Sequence, residues 1–158
     1  MDSDKTKEHI NDLKVEIRAD THNSCRRHYG RAKFHVELTE YAFGRLHGPG
    51  ELGCIYAGLI ENLYIAAELL LETELILLGI PYKDTHNGIR EAYRTKFVQS
   101  GMCTKEFWDA FNKLDGLRQK ARYLKATLLI TEADSKELID VIKKQVTYLQ
   151  EHYGTKLW

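Results

Sequence analysis

The sequence has few of the residues that interrupt helices or cross-link a chain. Of its 158 residues, two are proline and three are cysteine. Pro49 and Pro81 each fall between two runs of helical periodicity, so the chain between them is free of strong helix breakers. Cys25, Cys54 and Cys103 are an odd number, widely spaced, and form no Cys-x-x-Cys pair. This usage predicts reduced thiols in a cytoplasmic protein, not a disulfide framework.

The sequence also lacks an excess of either charge and a long uncharged apolar run. It has 23 basic and 23 acidic residues, so any site for a polyanion must be a local patch. The most apolar stretch, about 63–80, is interrupted by Glu68, Glu72 and Glu74. Carboxylates are costly in hydrocarbon, so this stretch is predicted to be a buried helix and no membrane partner is expected. The first residues contain no apolar run of the kind found in signal peptides.

Apolar residues recur at helical spacing and strand-like alternation is scarce, which predicts an all-α, up-and-down bundle. The length fits one domain. Six helices are predicted at about 4–19, 31–46, 51–79, 85–101, 104–128 and 132–152. The polar segment 20–30 is predicted to be a basic loop, so residues 1–30 would form an N-terminal extension of a bundle over 31–158.

The same periodicity assigns faces and ends to the predicted helices. The third helix is apolar almost all round, so we expect other helices or a second subunit to surround it. Gly79 is expected to end that helix, and Thr131 with Asp134 resembles a capping box at the start of the sixth. Gly154 would follow the end of the sixth. The face of the second helix that is expected to point into the core carries Phe34, Leu38, Tyr41, Ala42 and Leu46.

Motifs for nucleophilic catalysis or for phosphate-binding loops are absent, and the seven histidines are scattered. Glu61, Glu68 and Glu72 share one strip of the third helix, but no Glu-x-x-His pair accompanies them, so a salt-bridged or solvated strip is expected. The halves of a magnesium-binding scheme occur at 37–40 and 137–140, about a hundred residues apart. We therefore predict no catalytic residue, metal site or cofactor.

Basic residues form the most informative polar clusters. Arginine binds phosphate through two nitrogens and tyrosine can stack on a base, so these clusters suit RNA or a nucleotide. The alternative is that the arginines pair with acids such as Glu68 and Asp115. A basic run at 26–31 is a further cluster. The predicted binding residues are Arg118, Arg122, Tyr123 and Lys125 on the fifth helix, and Arg90 and Arg94 on the fourth.

The order of several segments resembles the HEPN domains, a family of small prokaryotic helical domains. The resembling segments are Leu-Gly-Ile-Pro-Tyr-Lys-x-x-His after the third helix, Lys-Phe-Val-x-Ser-Gly at the end of the fourth, and Leu-Arg-Gln-x-Ala-x-Tyr at 117–123. The resemblance covers about 31–153. It implies a bundle that dimerises, with a cleft at the dimer interface.

Many members of this family are metal-independent ribonucleases, and others pair with a small nucleotidyltransferase or bind nucleotides without cleaving them. The nuclease members carry an arginine followed, after four to six residues, by a histidine. Arg118 resembles that arginine, but Tyr123, Leu124 and Lys125 stand at the histidine spacing. Tyrosine, whose ordinary pKa is about 10, is a poor general base at neutral pH. Arg122 stands where related minimal members often have aspartate.

The preferred hypothesis is a homodimer that binds RNA or a nucleotide without ribonuclease activity, in a process related to nucleic acid or to toxin–antitoxin systems. A second hypothesis is a protein-assembly module, with a nucleotidyltransferase-like partner as one possibility. A third is an enzyme: a ribonuclease whose proton-transfer group lies elsewhere, or a magnesium-dependent nucleotide hydrolase.

Overall fold

The protein is described by a computed structural model that covers residues 3–45, 52–123 and 130–157, with side chains from 23–45, 56–122 and 130–157. The helices are α1 (Ser3–Phe43), α2 (Leu52–Leu77), α3 (His86–Tyr93), α4 (Lys105–Tyr123) and α5 (Glu132–Leu157), and a π-helical turn (Arg94–Val98) follows α3. The predicted all-α bundle is confirmed.

Helix α2 is the centre of the bundle because it packs against α1, α3, α4 and α5. Its buried residues point to all sides, among them Leu63, Ala66, Leu70, Leu71 and Leu75. The prediction of a surrounded helix is therefore confirmed, and the surrounding helices come from the same chain. The all-round apolar character of α2 consequently no longer argues for a second subunit. No helix in the described ranges is both long and apolar enough to span a bilayer.

The prediction of two helices joined by a loop at 20–30 is wrong, since α1 continues through this segment. Cys25, Tyr29, Ala32 and Val36 recur at intervals of four, three and four residues, and all four are buried in the core. Such an interval places them on one stripe of a helix. The segment looked like a loop because its polar residues cover the solvent side of this stripe, and it contains no proline. The helix passes through the boundary predicted at residue 30.

The predicted inward face of this region is also wrong. Phe34 and Tyr41 are each 60% exposed, and Leu38 is exposed as well. The stripe that begins at Cys25 fixes the rotation of α1, and Phe34 and Leu38 lie on the other side of the helix from it. Ala42 is partly buried, and Leu46 lies outside the described residues.

The ends of α2 and α3 follow local chemistry. Gly79 has a φ of +63°, which suits the left-handed end predicted after the third helix. Thr85 caps α3, because its side-chain oxygen accepts a hydrogen bond from the amide of Gly88 at 3.0 Å. A side chain at position 88 would place its Cβ 2.4 Å from the carbonyl oxygen of Lys83, so glycine is required by this close approach. The predicted continuous fourth helix is instead α3 followed by the π-helical turn.

The last two helices begin as expected but end differently. Thr131 donates its hydroxyl to Asp134 at 2.7 Å and accepts the Asp134 amide at 3.0 Å, which confirms the capping box. Helix α5 runs through Gly154 to Leu157, so the predicted end near 152 is wrong. Leu157 is buried, and its packing extends the helix past the glycine. The part of the fifth helix predicted beyond Tyr123 lies outside the described residues.

Candidate anion-binding site

Two arginines of α4 converge on one carboxylate of α2. Arg118 donates from Nε to Oε2 of Glu61 at 3.3 Å, and its side chain is only 12% exposed. Arg122 lies one turn later, and its Nε is 3.4 Å from Oε1 of the same Glu61. The Arg122 side chain is 52% exposed. Glu61 therefore holds the Nε side of both guanidinium groups. The outer one, that of Arg122, is open to solvent.

A buried tyrosine supports the inner arginine. The guanidinium carbon of Arg118 lies 4.2 Å from the centre of the Tyr64 ring, a cation–π contact. On its own helix the Tyr64 hydroxyl donates to Oε2 of Glu68 at 2.6 Å, and the ring stacks on Phe111 at 5.7 Å. Burial, together with the bond to Glu68, raises the pKa of Tyr64 well above its ordinary value. Tyr64 is thus a neutral, fixed platform beneath Arg118.

The charges at this point do not cancel. Two guanidinium groups meet one carboxylate, so the cluster of Arg118, Arg122 and Glu61 carries a net charge of one positive unit. Each arginine directs its Nε at the Glu61 carboxylate. Within the described part of the chain, no other acid lies within ion-pair distance of either arginine. Oε1 of Glu61 is buried and accepts no hydrogen bond from the described residues. The terminal nitrogens of both arginines make no hydrogen bond to the described residues, and Arg122 is the more accessible of the two for an anion.

A histidine joins the same network from the start of α3. Nδ1 of His86 lies 2.6 Å from Oε2 of Glu68, the carboxylate that also accepts from Tyr64. With Glu68 as the acceptor, Nδ1 of His86 is the donor, and Nε2 makes no hydrogen bond to the described residues. The His86 side chain is 58% exposed. A continuous chain of contacts therefore links Arg118, through Tyr64 and Glu68, to an exposed imidazole.

The other predicted arginines are already paired. Arg90 donates from Nη1 to Asp115 at 3.0 Å and from Nη2 to Asn112 at 2.7 Å, so both of its terminal nitrogens tie α3 to α4. Arg94 donates from Nε and Nη2 to Glu91. The structure does not bring these two arginines to Glu61. The Tyr123 side chain and Lys125 lie outside the described residues.

The carboxylate strip of α2 is bound to basic and hydroxyl groups, as the salt-bridge prediction expected. Glu72 lies 3.6 Å from Nε2 of His28 and accepts from the Tyr82 hydroxyl at 3.4 Å. Burial raises the pKa of Glu72, and His28 opposes this shift. Across the described ranges, no group of three or more histidines, cysteines and acids is arranged to hold a metal ion.

The two halves of the magnesium-binding scheme come closer than their separation in sequence suggests. Helix α1 packs against α5, and Lys143 of α5 binds Glu40 of α1 at 2.5 Å. The lysine thus supplies the positive charge that faces Glu40. Asp140 lies near this lysine and helps to raise its pKa, although the Glu40 hydrogen bond is the largest cause.

Sequence reasoning missed three features of the network: it placed Glu61 in a salt-bridged or solvated strip without naming Arg118 or Arg122 as its partner, and it selected neither Tyr64 nor His86. A usable signal was present for the first two. Glu61 and Tyr64 are three residues apart on α2 and Arg118 and Arg122 are four apart on α4, so each pair forms a row on its helix. Nothing in the sequence shows that the two rows face each other.

Comparison with known proteins places the chain in context. A family model described as HEPN domain matches residues 51–152, which span α2 to most of α5. No curated protein matches the chain, and no solved structure matches it.

Proposed function

The chain belongs to the HEPN domain family, and from this premise we propose that it binds RNA or a nucleotide at Arg118 and Arg122 and does not cleave it. Family membership points to a function related to nucleic acid or to toxin–antitoxin systems. The assignment of binding to Arg118 and Arg122, without cleavage, is argued from this chain's own residues.

One observation carries the proposal: two guanidinium groups share a single carboxylate. Glu61 orients Arg118 and Arg122 without neutralising both, and the Tyr64 ring holds Arg118 in place. An arginine that is already fixed loses less freedom when it binds phosphate, which favours affinity. Arg90 and Arg94 are expected to contribute less, because acids and an amide already occupy them.

The absence of cleavage rests on the sequence around Arg118. No histidine follows any arginine at the spacing of the family's nucleases, and Tyr123 is a poor proton acceptor at neutral pH.

The proposal includes a homodimer that brings two Arg118 sites to one cleft, and a nucleotidyltransferase-like protein as a further partner. Both follow from the family. Sedimentation of the protein alone tests the dimer.

We expect Arg118→Ala to weaken binding of labelled single-stranded RNA about 10- to 100-fold, since a charged hydrogen bond contributes about 1.5–3 kcal/mol. Arg118→Lys keeps the charge but loses the two-nitrogen geometry, so it should fall between wild type and alanine. Fluorescence anisotropy at fixed salt measures the change. Lys120→Ala is the matched control, because Lys120 is exposed on the same helix and makes no ion pair with the described residues.

An equal loss in Lys120→Ala and Arg118→Ala would mean that the charge of α4, and not the Glu61 site, attracts the ligand. No binding of RNA or of mononucleotides by the wild type, at low as well as high salt, would reject the proposal and favour the protein-assembly module.

Glu61→Gln should have the opposite effect and strengthen binding about five- to tenfold. The amide keeps the shape of Glu61 but removes the charge that competes with phosphate for both arginines. A unit charge at this distance near a protein surface is worth about 1 kcal/mol or more. The same titration over a range of salt concentrations should show a steeper salt dependence for Glu61→Gln. Weaker binding would mean that the carboxylate acts mainly by orienting the arginines.

One observation favours a second candidate, a ribonuclease with a relocated proton-transfer group. Nδ1 of His86 is held by Glu68, so the exposed Nε2 is available to accept a proton. An RNA cleavage assay with wild type, His86→Ala and Arg118→Ala separates the two candidates. Cleavage that both substitutions abolish would establish the enzyme, and binding without cleavage supports the proposal.

A further inference from the structure

Helix α1 carries a second surface of arginine and aromatic side chains, which we call the α1 strip. Its members are exposed and alternate at intervals of four and three residues, which places them on one side of the helix and of the turn that follows it. They are Arg27, Arg31, Phe34, Leu38, Tyr41 and Arg45. The strip is about 27 Å long at the rise of an α-helix. No member of it belongs to the Arg118 site.

The α1 strip is positively charged, and its charge is not paired by the described residues. None of its three arginines lies within ion-pair distance of an acid in the described residues, and the guanidinium of Arg45 lies 4.6 Å from the centre of the Tyr41 ring. Glu37 borders the strip, three residues after Phe34 and four before Tyr41, and its Oε1 lies 4.0 Å from Nζ of Lys33. Arg31 also borders a cavity of about 450 Å³ whose lining includes Glu68, Glu72 and Asp84, without pairing with them. The members of the strip therefore carry three positive charges, and the neighbouring carboxylates of the described residues are not paired with them.

We propose that the α1 strip binds single-stranded nucleic acid. Unpaired bases would stack on Phe34 and Tyr41, and phosphates would contact Arg27, Arg31 and Arg45. Exposed aromatic rings between cationic side chains are the two components that non-specific single-strand binding requires. This inference goes beyond the proposed function, because it rests on a different helix and holds whether or not Arg118 binds a ligand.

The charge of the strip favours nucleic acid over a second copy of the chain. In a symmetric pair the same surface meets itself. An antiparallel pair centred on Leu38 would bring Arg31 of one copy to Arg45 of the other, and a parallel pair would bring Arg31 to Arg31. Either arrangement places like charges together, which is costly in an interface. A polyanion would instead meet opposite charge at both ends of the strip, at Arg27 and Arg31 and at Arg45.

Two sets of variants should give different signatures with a fluorescein-labelled single-stranded oligouridine. Replacing Arg27, Arg31 and Arg45 together by glutamine should reduce the slope of log K against log salt by about 2, from about 0.7 for each phosphate contact. Phe34→Ala with Tyr41→Ala should weaken binding roughly tenfold or more at fixed salt and leave the slope unchanged. Lys33→Gln, on the same helix but off the strip, should change neither quantity.

A duplex RNA of the same length tests the stacking directly. Its bases are paired, so its binding should depend on the arginines and not on Phe34 and Tyr41. All measurements are repeated in an Arg118→Ala, Arg122→Ala background, where dependence on the α1 strip should persist. Loss of that dependence would assign all binding to the Arg118 site and overturn the inference. Aromatic substitutions that dissociate a dimer in sedimentation without weakening binding would also overturn it, in favour of a second copy.

Discussion

Raising the pH from about 5 to about 8 is expected to lower the free energy of unfolding by about 2.5 kcal/mol through one carboxyl group, that of Glu74. Glu74 is 2% exposed and lies in the last turn of α2. Its Oε2 accepts the Tyr93 hydroxyl at 2.5 Å and the Gln145 amide at 3.1 Å. Burial raises the pKa of Glu74 to about 7, and the two hydrogen bonds oppose this shift only in part.

The sign follows from proton binding. Glu74 has a pKa of about 7 in the folded protein and an ordinary value of 4.5 when the chain is unfolded. Between these values the folded state holds the proton more tightly, so stability falls as the pH rises through this window and is constant above it. Glu72, whose pKa is also raised, adds to the fall. Asp134, whose pKa is lowered, adds stability above 3.8 and loses it only at lower pH.

Glu74→Gln is the matched variant, because the amide resembles the protonated acid. We expect urea denaturation of Glu74→Gln to give a free energy of unfolding that falls much less than that of wild type between about pH 5 and about pH 8, with Glu72 contributing the remainder. Above neutral pH the variant should be more stable than wild type. An equal fall with pH in both proteins would assign the effect to other groups, with Glu72 the first candidate.

The sequence predicts a helix's packing well when it leaves no doubt about which face of the helix is buried. Helix α2 was predicted well because apolar residues occupy all of its faces, so no choice of rotation was needed. Helix α1 has two apolar stripes, one through Cys25 and Tyr29 and one through Phe34 and Tyr41, and only packing against α2 and α5 decides which is buried. The cap at Thr131 was accessible because it depends on Asp134, a neighbour three residues away.

In the candidate sites, the sequence predicts which charged residues share a helix face but not which residues they pair with on another helix. Arg118 and Arg122 were selected from their spacing, but their partner Glu61 is 57 residues away from Arg118 in sequence. Arg90 pairs with Asp115, 25 residues away, which is the arginine–acid pairing that the sequence offered as the alternative for these clusters. A single sequence gives the rows of charge on each helix, and only the packing of the helices gives their pairing. The α1 strip was hidden for a related reason, since its aromatic residues were assigned to the core.

Tyr64→Ala is expected to destabilise the protein by about 3–5 kcal/mol, as large aromatic deletions in cores do. The substitution removes a buried ring that stacks on Phe111 and lies under Arg118. Tyr64→Phe keeps both contacts and loses only the hydrogen bond to Glu68, which still accepts from His86. Its expected cost is about 1 kcal/mol. Urea denaturation of both variants measures the difference.

The same pair of variants tests what the ring does for Arg118. If the ring preorganises the guanidinium, Tyr64→Phe should bind single-stranded RNA as wild type does, although the variant is less stable. Tyr64→Ala, assayed under conditions where it is folded, should bind more weakly, even though residue 64 is buried and does not reach the ligand. If Tyr64→Phe were as unstable as Tyr64→Ala, the hydroxyl and its bond to Glu68 would carry the stability. The contact between Tyr64 and Arg118 would then be a consequence of the fold and not a support for the site.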